Sequence, residues 1–522
     1  MTLDLKRLIP VLLLALTSVD AGSQAIFRSD VSYPALAPSR MQADDSRPVF
    51  CDNSESEYFP EIITQFGGSC AQASGIHYLF TYEMNRFLDR PAKGHPENVF
   101  SYRWTWHLLN GGQDEGSIAS DGIEIVMKAG CISVKDYGNE ENDYYYTWPS
   151  GYDRYYRGMP YKAKAIREID LSTMTGINTL MDYFLDKHDG HKGGGVVSFS
   201  LTGDSNDGTA AWGYGPYNGP SSCGMNSTIN MEGSGGAHAM TLVGYDLAFE
   251  KDFDGDGMIS EPERGAFILV NSWGTFWQSN GKSYMPFYYF LNAGEPNGVN
   301  FWDSRAMAID VEYREPSICF QVNLDYTSRN DLTFRFGVAD GAQAKQPDRK
   351  GIIHYPFPAA QGGDNLMRGN YFASGKNIDM GFDVSELEPY VSTLKAPCYF
   401  LIINKSVLGK SGSGHVNQVL VHDYRSGTDI VSKSENDADV GISLGLSYIR
   451  IPTRPWFKDA KGKWYDVCRT SANPITVNDD YTAYPEYSEP MAVRTAEMDY
   501  AKMKVHFDGE SRSVKLDITR YE

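Results

Sequence analysis

Apolar positions along the chain change period near its middle. From Cys70 onward, Ala73, Ile76, Phe80, Met84 and Phe87 recur at steps of three and four, the signature of one helix face. Gly67-Gly68-Ser69 supplies a turn just before them, so Cys70 is expected at the helix N-terminus. Further helices are predicted over about 98–109, 121–129 (with Gly130 as C-cap) and 174–186. After Gly193-Gly194-Gly195 the runs become strand-like: 196–201, 237–245, 266–270, 284–290 and 306–312. Helices first and strands later predict an α+β unit of two packed subregions with a cleft between them, not a βαβ repeat. Beyond about Pro316, short strands over 318–324, 332–338, 398–403, 416–421 and 446–451 alternate with polar turns such as 409–414. That texture predicts an all-β, sandwich-like domain.

The ends and the composition narrow the setting. Lys6 and Arg7 precede a short apolar run from Leu8 to Val19, and small residues follow, which reads as a signal peptide over 1–25 cleaved after Ala21 or Ala25. No other segment reaches ~18 uninterrupted apolar residues, so stable membrane insertion is not expected and the mature protein is read as secreted, periplasmic or at the cell surface. Domains are expected at 26–49 (a short polar arm), 50–315, 316–475 and 476–522 (a Tyr-rich, acidic extension). A net charge of −20 without a block of Lys and Arg argues against a nucleic-acid partner, because phosphate neutralisation dominates that affinity. The cysteines are Cys51, Cys70, Cys131, Cys223, Cys319, Cys398 and Cys468, an odd number that leaves at least one thiol unpaired in an exported chain, and their scatter over more than 400 residues is not a dense disulfide framework. None forms a CxxC pair, so zinc is not indicated. Oligomeric state is not legible.

Three runs carry chemistry: Gln65 to Cys70, Gly236-Ala237-His238-Ala239-Met240, and Asn271-Ser272-Trp273-Gly274. A thiol becomes a nucleophile when an imidazole takes its proton, and the imidazole needs a third group to fix its orientation. Helix-terminal N–H groups at Cys70 are expected to lower the thiol pKa. His238 is the base and acid, and Asn271 the orienting group. The order Cys, His, Asn-Ser-Trp-Gly resembles the papain-like cysteine peptidases over about residues 50–312. The resemblance implies a helical lobe against a β-barrel-like lobe, hydrolysis of peptide bonds in protein or peptide substrates, and a Cys70 thioester intermediate. It makes Gln65 an oxyanion-hole donor together with the Cys70 backbone N–H, although Gln65 stands five residues before Cys70, one fewer than the family pattern. It makes Trp273 the shield of the Asn–His hydrogen bond, and Gly111 to Gly116 a cleft-lining segment. Gly67 stands where the family pattern has a Cys, which removes a disulfide expected in eukaryotic relatives, and Ala71 replaces an aromatic residue.

Asn271 lies 33 residues after His238, further than a short hairpin requires. Most of the excess is Asp252-Phe253-Asp254-Gly255-Asp256-Gly257-Met258-Ile259-Ser260-Glu261-Pro262-Glu263. Asp at positions 1, 3 and 5, Gly at 6, the Met258 carbonyl at 7 and Glu263 at 12 fit an EF-hand calcium loop. A structural calcium ion at a hairpin tip is therefore expected. Two alternatives compete with the peptidase reading: a surface binding protein on an inactive peptidase scaffold, and a non-peptidase thiol amidase such as a peptidoglycan hydrolase.

Overall fold

The computed structural model describes residues 27–453, apart from 29–30, 38–46, 139–146, 202–212, 218, 220, 231–236, 293–303, 342, 356–363, 370–374, 406–411, 428 and 435–439; beyond 453 it describes strand backbone only. The signal peptide, half of the arm and Cys468 lie outside the described residues.

The first predicted helix is one continuous segment with a change of winding. An α turn at Cys70–Gln72 runs into a π-helix at Ala73–Phe80 and returns to α at Thr81–Leu88. Asp89 ends it in the left-handed region, at φ 49°. Every residue from Ser69 to Arg86 is buried, polar ones included, so this nucleophile helix runs through the protein interior and its polar side chains must find partners there. The other predicted helices appear as Tyr102–Leu109, Ala119–Ala129 and Met174–Leu185. The first of these starts later than expected because Ser101 is its N-cap, accepting from Trp104 N–H at 3.3 Å. Gly130 closes the second at φ 73°, where a Cβ would lie 2.1 Å from the Gly158 carbonyl oxygen.

The strands are β1 (Phe50–Asp52), β2 (Tyr161–Asp170), β3 (Val197–Leu201), β4 (Gly213–Pro216), β5 (Ser227–Asn230), β6 (His238–Glu250), β7 (Arg264–Val270), β8 (Lys282–Pro286) and β9 (Arg305–Tyr313). They form one sheet in the order β2-β9-β3-β6-β7-β8-β5-β4, with β1 added on β6. The strand expected over 284–290 breaks at Pro286, which lacks an N–H for the ladder and holds φ at −59°, and a helix at Phe287–Leu291 follows. Pairing in the β6–β7 hairpin runs from Glu250↔Arg264 down to Thr241↔Val270. The acidic loop thus sits at its tip, and Asn271 follows the last paired residue. Strand β6 separates two apolar clusters: Ala239 and Val243 pack with the nucleophile helix, while Met240, Leu242 and Tyr245 pack on the other side with Phe199 and Phe267.

After β9 come β10 (Ile318–Tyr326), β11 (Leu332–Asp340), β12 (Ile352–Tyr355), β13 (Asn377–Asp383), β14 (Pro397–Lys405), β15 (Gly414–Asp423), β16 (Ile430–Lys433), β17 (Val440–Gly441) and β18 (Gly445–Pro452). They make two antiparallel sheets, β13-β10-β15-β16 with β17 on β15, and β12-β11-β14-β18. Phe320, Phe334, Phe336, Tyr355 and Phe382 meet between the sheets with ring centroids 4.7–5.9 Å apart. This β region shares its core with the helical one. Lys162 on β2 donates to Asp383 on β13 with both side chains buried, and Gly151 and Tyr152 N–H groups donate to Asp379 at 2.8 and 2.9 Å. Near the C-terminus, backbone strands Met491–Thr495, Met498–Asp508 and Ser513–Arg520 pair antiparallel, so the extension bears strands. Among the described residues no helix is long and apolar enough to cross a membrane.

Candidate active site

Cys70 stands at the first position of the nucleophile helix, where the turn from Gly67 to Ser69 ends. Ser69 does not cap the helix through its side chain, because its hydroxyl donates to the Phe66 carbonyl at 2.6 Å and braces the turn instead. The sulfur accepts the Ala239 N–H at 3.4 Å, a contact between residues 169 apart in sequence. Cys70 is therefore joined to β6 at the residue after His238.

The hydrogen bonds of Asn271 decide which imidazole nitrogen carries the hydrogen. Asn271 Oδ1 accepts the Ser272 N–H at 2.7 Å, and a backbone N–H can only donate, so the amide orientation is fixed. The same oxygen lies 2.8 Å from His238 Nε2, which must then carry a hydrogen to bond it. In the neutral ring, Nδ1 is left with the lone pair. Asn271 is 0% exposed and His238 5% exposed. The Trp273 ring lies over the imidazole at 4.8 Å between centroids, tilted 37°, and covers this hydrogen bond on the solvent side.

Gln65 is held to the same run by its backbone and its side chain. Its N–H donates to the Ser272 carbonyl at 2.7 Å, and Thr64 bridges Trp273. Its side-chain oxygen accepts the Ser272 hydroxyl, and Nε2 donates one hydrogen to the Gly67 carbonyl at 2.7 Å. The second Nε2 hydrogen has no protein partner among the described residues. Cys70, His238, Asn271 and Gln65 thus share one neighbourhood.

Burial, not the helix terminus, sets the resting charge. It pushes the Cys70 thiol up to about 12, against the pull of the Ala239, Ala71 and Cys70 N–H groups. It pushes His238 down to about 4, against the Asn271 hydrogen bond. The expected depression of the thiol is reversed, because a sulfur with no exposed surface loses more from leaving water than a few amides return. Burial thus favours the thiol form of Cys70 and the neutral form of His238.

Three positioning groups have no motif around them. Ser74, one turn beyond Cys70, donates to the Met240 carbonyl at 2.6 Å and meets the Ser198 and Thr241 hydroxyls at 2.6 and 2.9 Å. Tyr78 takes the Ile63 N–H and donates to the Asn271 carbonyl, both at 3.1 Å. Gln72 donates to Ser117 and Ile118 at 3.0 Å and accepts from Thr105 at 2.8 Å. No sequence signal marks these three, because the apolar period shows one buried helix face and not that every face is buried.

In the acidic loop, Asp252, Asp254 and Asp256 bring one carboxylate oxygen each within 4.8 Å of one another. Asp252 accepts the Gly255 and Gly257 N–H groups, Asp254 that of Asp256, and Asp256 that of Met258. Gly255 and Gly257 have φ of 75° and 82°, which these turns require. The Met258 side chain is 69% exposed. Glu263 is buried. Its oxygens take the Phe253 N–H at 2.6 Å and the Ser260 N–H and hydroxyl at 2.8 and 2.6 Å, which closes the loop ends. The six described cysteines are not joined in disulfides.

No protein-family model and no curated protein matches the chain. Among solved structures it is similar to xylellain, a cysteine protease from Xylella fastidiosa, at 15% identity over 56% of this chain and 97% of that one, with a TM-score of 0.36. It is similar to procathepsin L2 proteinase from the larval midgut of Tenebrio molitor at 15% identity over 55% and 78%, TM-score 0.36. The cysteine protease and lectin-like domains of Cwp84, a surface layer associated protein of Clostridium difficile, match at 13% identity over 82% and 84%, TM-score 0.33.

Proposed function

We propose that the chain is an exported papain-like cysteine peptidase. The observation that carries the reading is the double use of Asn271 Oδ1, which accepts from Ser272 N–H and His238 Nε2 and so leaves Nδ1 as the basic nitrogen, while the next residue, Ala239, donates its N–H to Cys70 Sγ. Cys70 Sγ attacks the substrate carbonyl while its proton passes to His238 Nδ1. The negative charge that develops on the carbonyl oxygen is met by the Cys70 N–H and the second Nε2 hydrogen of Gln65. His238 returns the proton to the leaving amine, giving a thioester, and water then attacks with His238 as base. Burial opposes charge separation between Cys70 and His238, while the N–H groups at the sulfur and the Asn271 hydrogen bond favour it.

The same proposal includes a calcium ion in the acidic loop, held by Asp252, Asp254 and Asp256 with the Met258 carbonyl, and with Glu263 closing the loop. Oxygens about 2.4 Å from a common ion lie within about 5 Å of each other, and the trio meets that limit. The ion would neutralise carboxylates that now face one another.

Hydrolysis of an unfolded protein or peptide library by the purified chain, against Cys70→Ala, tests the reading. Hydrolysis lost in the variant supports it. Equal activity in both rejects Cys70 as nucleophile, and no activity in either under reducing conditions favours the binding-protein alternative.

A further inference from the structure

The turn that presents Cys70 is gripped from the opposite loop by one carboxylate. Asp114 Oδ1 accepts the Gly68 N–H at 2.7 Å. Gly67 adopts φ 55°, and a Cβ built there would fall 2.0 Å from that oxygen and 2.6 Å from Asp114 Cγ. A Cβ at Gly68 would meet the Glu115 backbone carbon at 3.0 Å. Both glycines therefore leave room that the facing loop fills, at the position where the family pattern has a Cys. Asp114 makes no ion pair among the described residues, and its side chain is exposed apart from this bond. A carboxylate on a backbone N–H is a charge-assisted bond, stronger than an amide pair.

The loop that carries Asp114 is anchored at both ends. Trp106 Nε1 donates to the Glu115 carbonyl at 2.9 Å, and Gln72 holds Ser117 and Ile118. From the β region, Asn365 Nδ2 donates to the Gly111 carbonyl at 2.8 Å, while the Asn365 carbonyl takes the Arg329 N–H at 2.9 Å. A continuous set of contacts thus leads from the C-terminal β region through the loop to the residue pair before Ser69 and Cys70.

We propose that Asp114 is a positioning residue for Cys70, and that Asn365 extends its support into the C-terminal β region, making that region part of the active-site scaffold. The Cys70 N–H is an oxyanion donor and the sulfur must point at Ala239, so a turn free to shift misplaces both. The proposal rests on the peptidase reading for one readout, hydrolysis, and not for the other, a cross-link.

Asp114→Ala is expected to lower kcat by about tenfold to a hundredfold, the scale of an ångström-sized misplacement, with KM changed far less. Asp114→Asn keeps an acceptor oxygen and is expected to recover most of the loss. Asn365→Ala is expected to act in the same direction, more weakly, and to add little on top of Asp114→Ala. Wild-type kcat in Asp114→Ala, or an equal loss in Asp114→Asn, overturns the proposal. The cross-link test is Gly67→Cys with Asp114→Cys in a Cys70→Ala background. Asp114 Cβ lies one bond beyond Cγ, so the two Cβ atoms should be about 4 Å apart, within disulfide range. Oxidised glutathione would accept the two electrons, and peptide mass mapping is expected to find the 67–114 disulfide in the folded chain. Its absence, with both thiols intact, overturns the juxtaposition. If the cross-link forms but the wild type hydrolyses nothing, the peptidase reading fails and the clasp stands.

Discussion

The thiol site and the acidic loop are both polar clusters, but they are held in opposite ways. The cluster around Cys70 is buried and assembled from contacts between distant residues: Ala239 to Cys70, Ser272 to Gln65, and Tyr78 to Asn271. The aspartates of the acidic loop are partly or fully exposed, and their bonds join residues two to five apart, with Glu263 buried at the loop's end. The first depends on the packing of the nucleophile helix against β6 and β7. The second depends on its own turns and, in the proposal, on an ion. Damage to the first should abolish chemistry, whereas damage to the second should loosen the hairpin tip and spare the chemistry.

The sharpest break in that comparison is at the thiol site itself. Cys70→Ala and His238→Ala are each expected to lower kcat/KM by about 10⁴-fold or more, measured on an unfolded protein substrate, with the thermal midpoint little changed for the first. Gln65→Ala removes one oxyanion donor and is expected to cost about 10²-fold in kcat. A KM effect alone would place Gln65 in substrate binding instead.

Acid should also separate the two sites. His238 and His77 are both buried and both pushed down to about 4 from 6.5, the latter despite its Nε2 lying 2.9 Å from the Glu61 carbonyl. Between those pH values the unfolded chain binds protons that the folded chain refuses. Their contribution is therefore complete above pH 6.5 and is lost as pH falls through 4, by roughly 3 kcal/mol per histidine. Urea midpoints between pH 7 and 4 should fall accordingly, and His77→Phe should flatten that limb; an unchanged limb would remove His77 from the account. The smallest effect belongs to the loop. Calcium at about 100 times its dissociation constant should add about 2.7 kcal/mol, a few degrees in thermal midpoint, reversed by chelator and absent in Asp252→Ala. The rate of Cys70 alkylation should not follow it.

What was legible follows from the same contrast. The acidic loop is local, so its spacing in the sequence is close to its geometry, and one oxygen from each aspartate lies within 4.8 Å of the others. The thiol residues could be ordered from their motifs, but not their hydrogen bonds, because which amide oxygen meets which imidazole nitrogen depends on hairpin register. Ser74, Tyr78 and Gln72 were invisible for that reason. The charge state of Cys70 was misjudged because a helix start can be seen in sequence and complete burial cannot. Among the elements, the helix over 70–88 was clear from its period, yet its π segment leaves no mark in the apolar pattern. The strand Tyr161–Asp170 mixes Lys, Arg and Glu with small or apolar residues, so charge hides it, and the apolar pattern that continues past Pro286 hides the end of β8. The β region beyond 316 was legible as sandwich-like, but its shared core with the helical lobe rests on Lys162–Asp383 and the Asp379 contacts, which join residues more than 200 apart.

Alkylation of the wild-type chain with a small haloacetamide, followed by peptide mass mapping alongside residual hydrolysis, tests the central claim most directly. Activity should fall in proportion to modification of Cys70, whatever happens at the partly exposed Cys51 and Cys223. Hydrolysis that persists after Cys70 is fully alkylated would contradict the account.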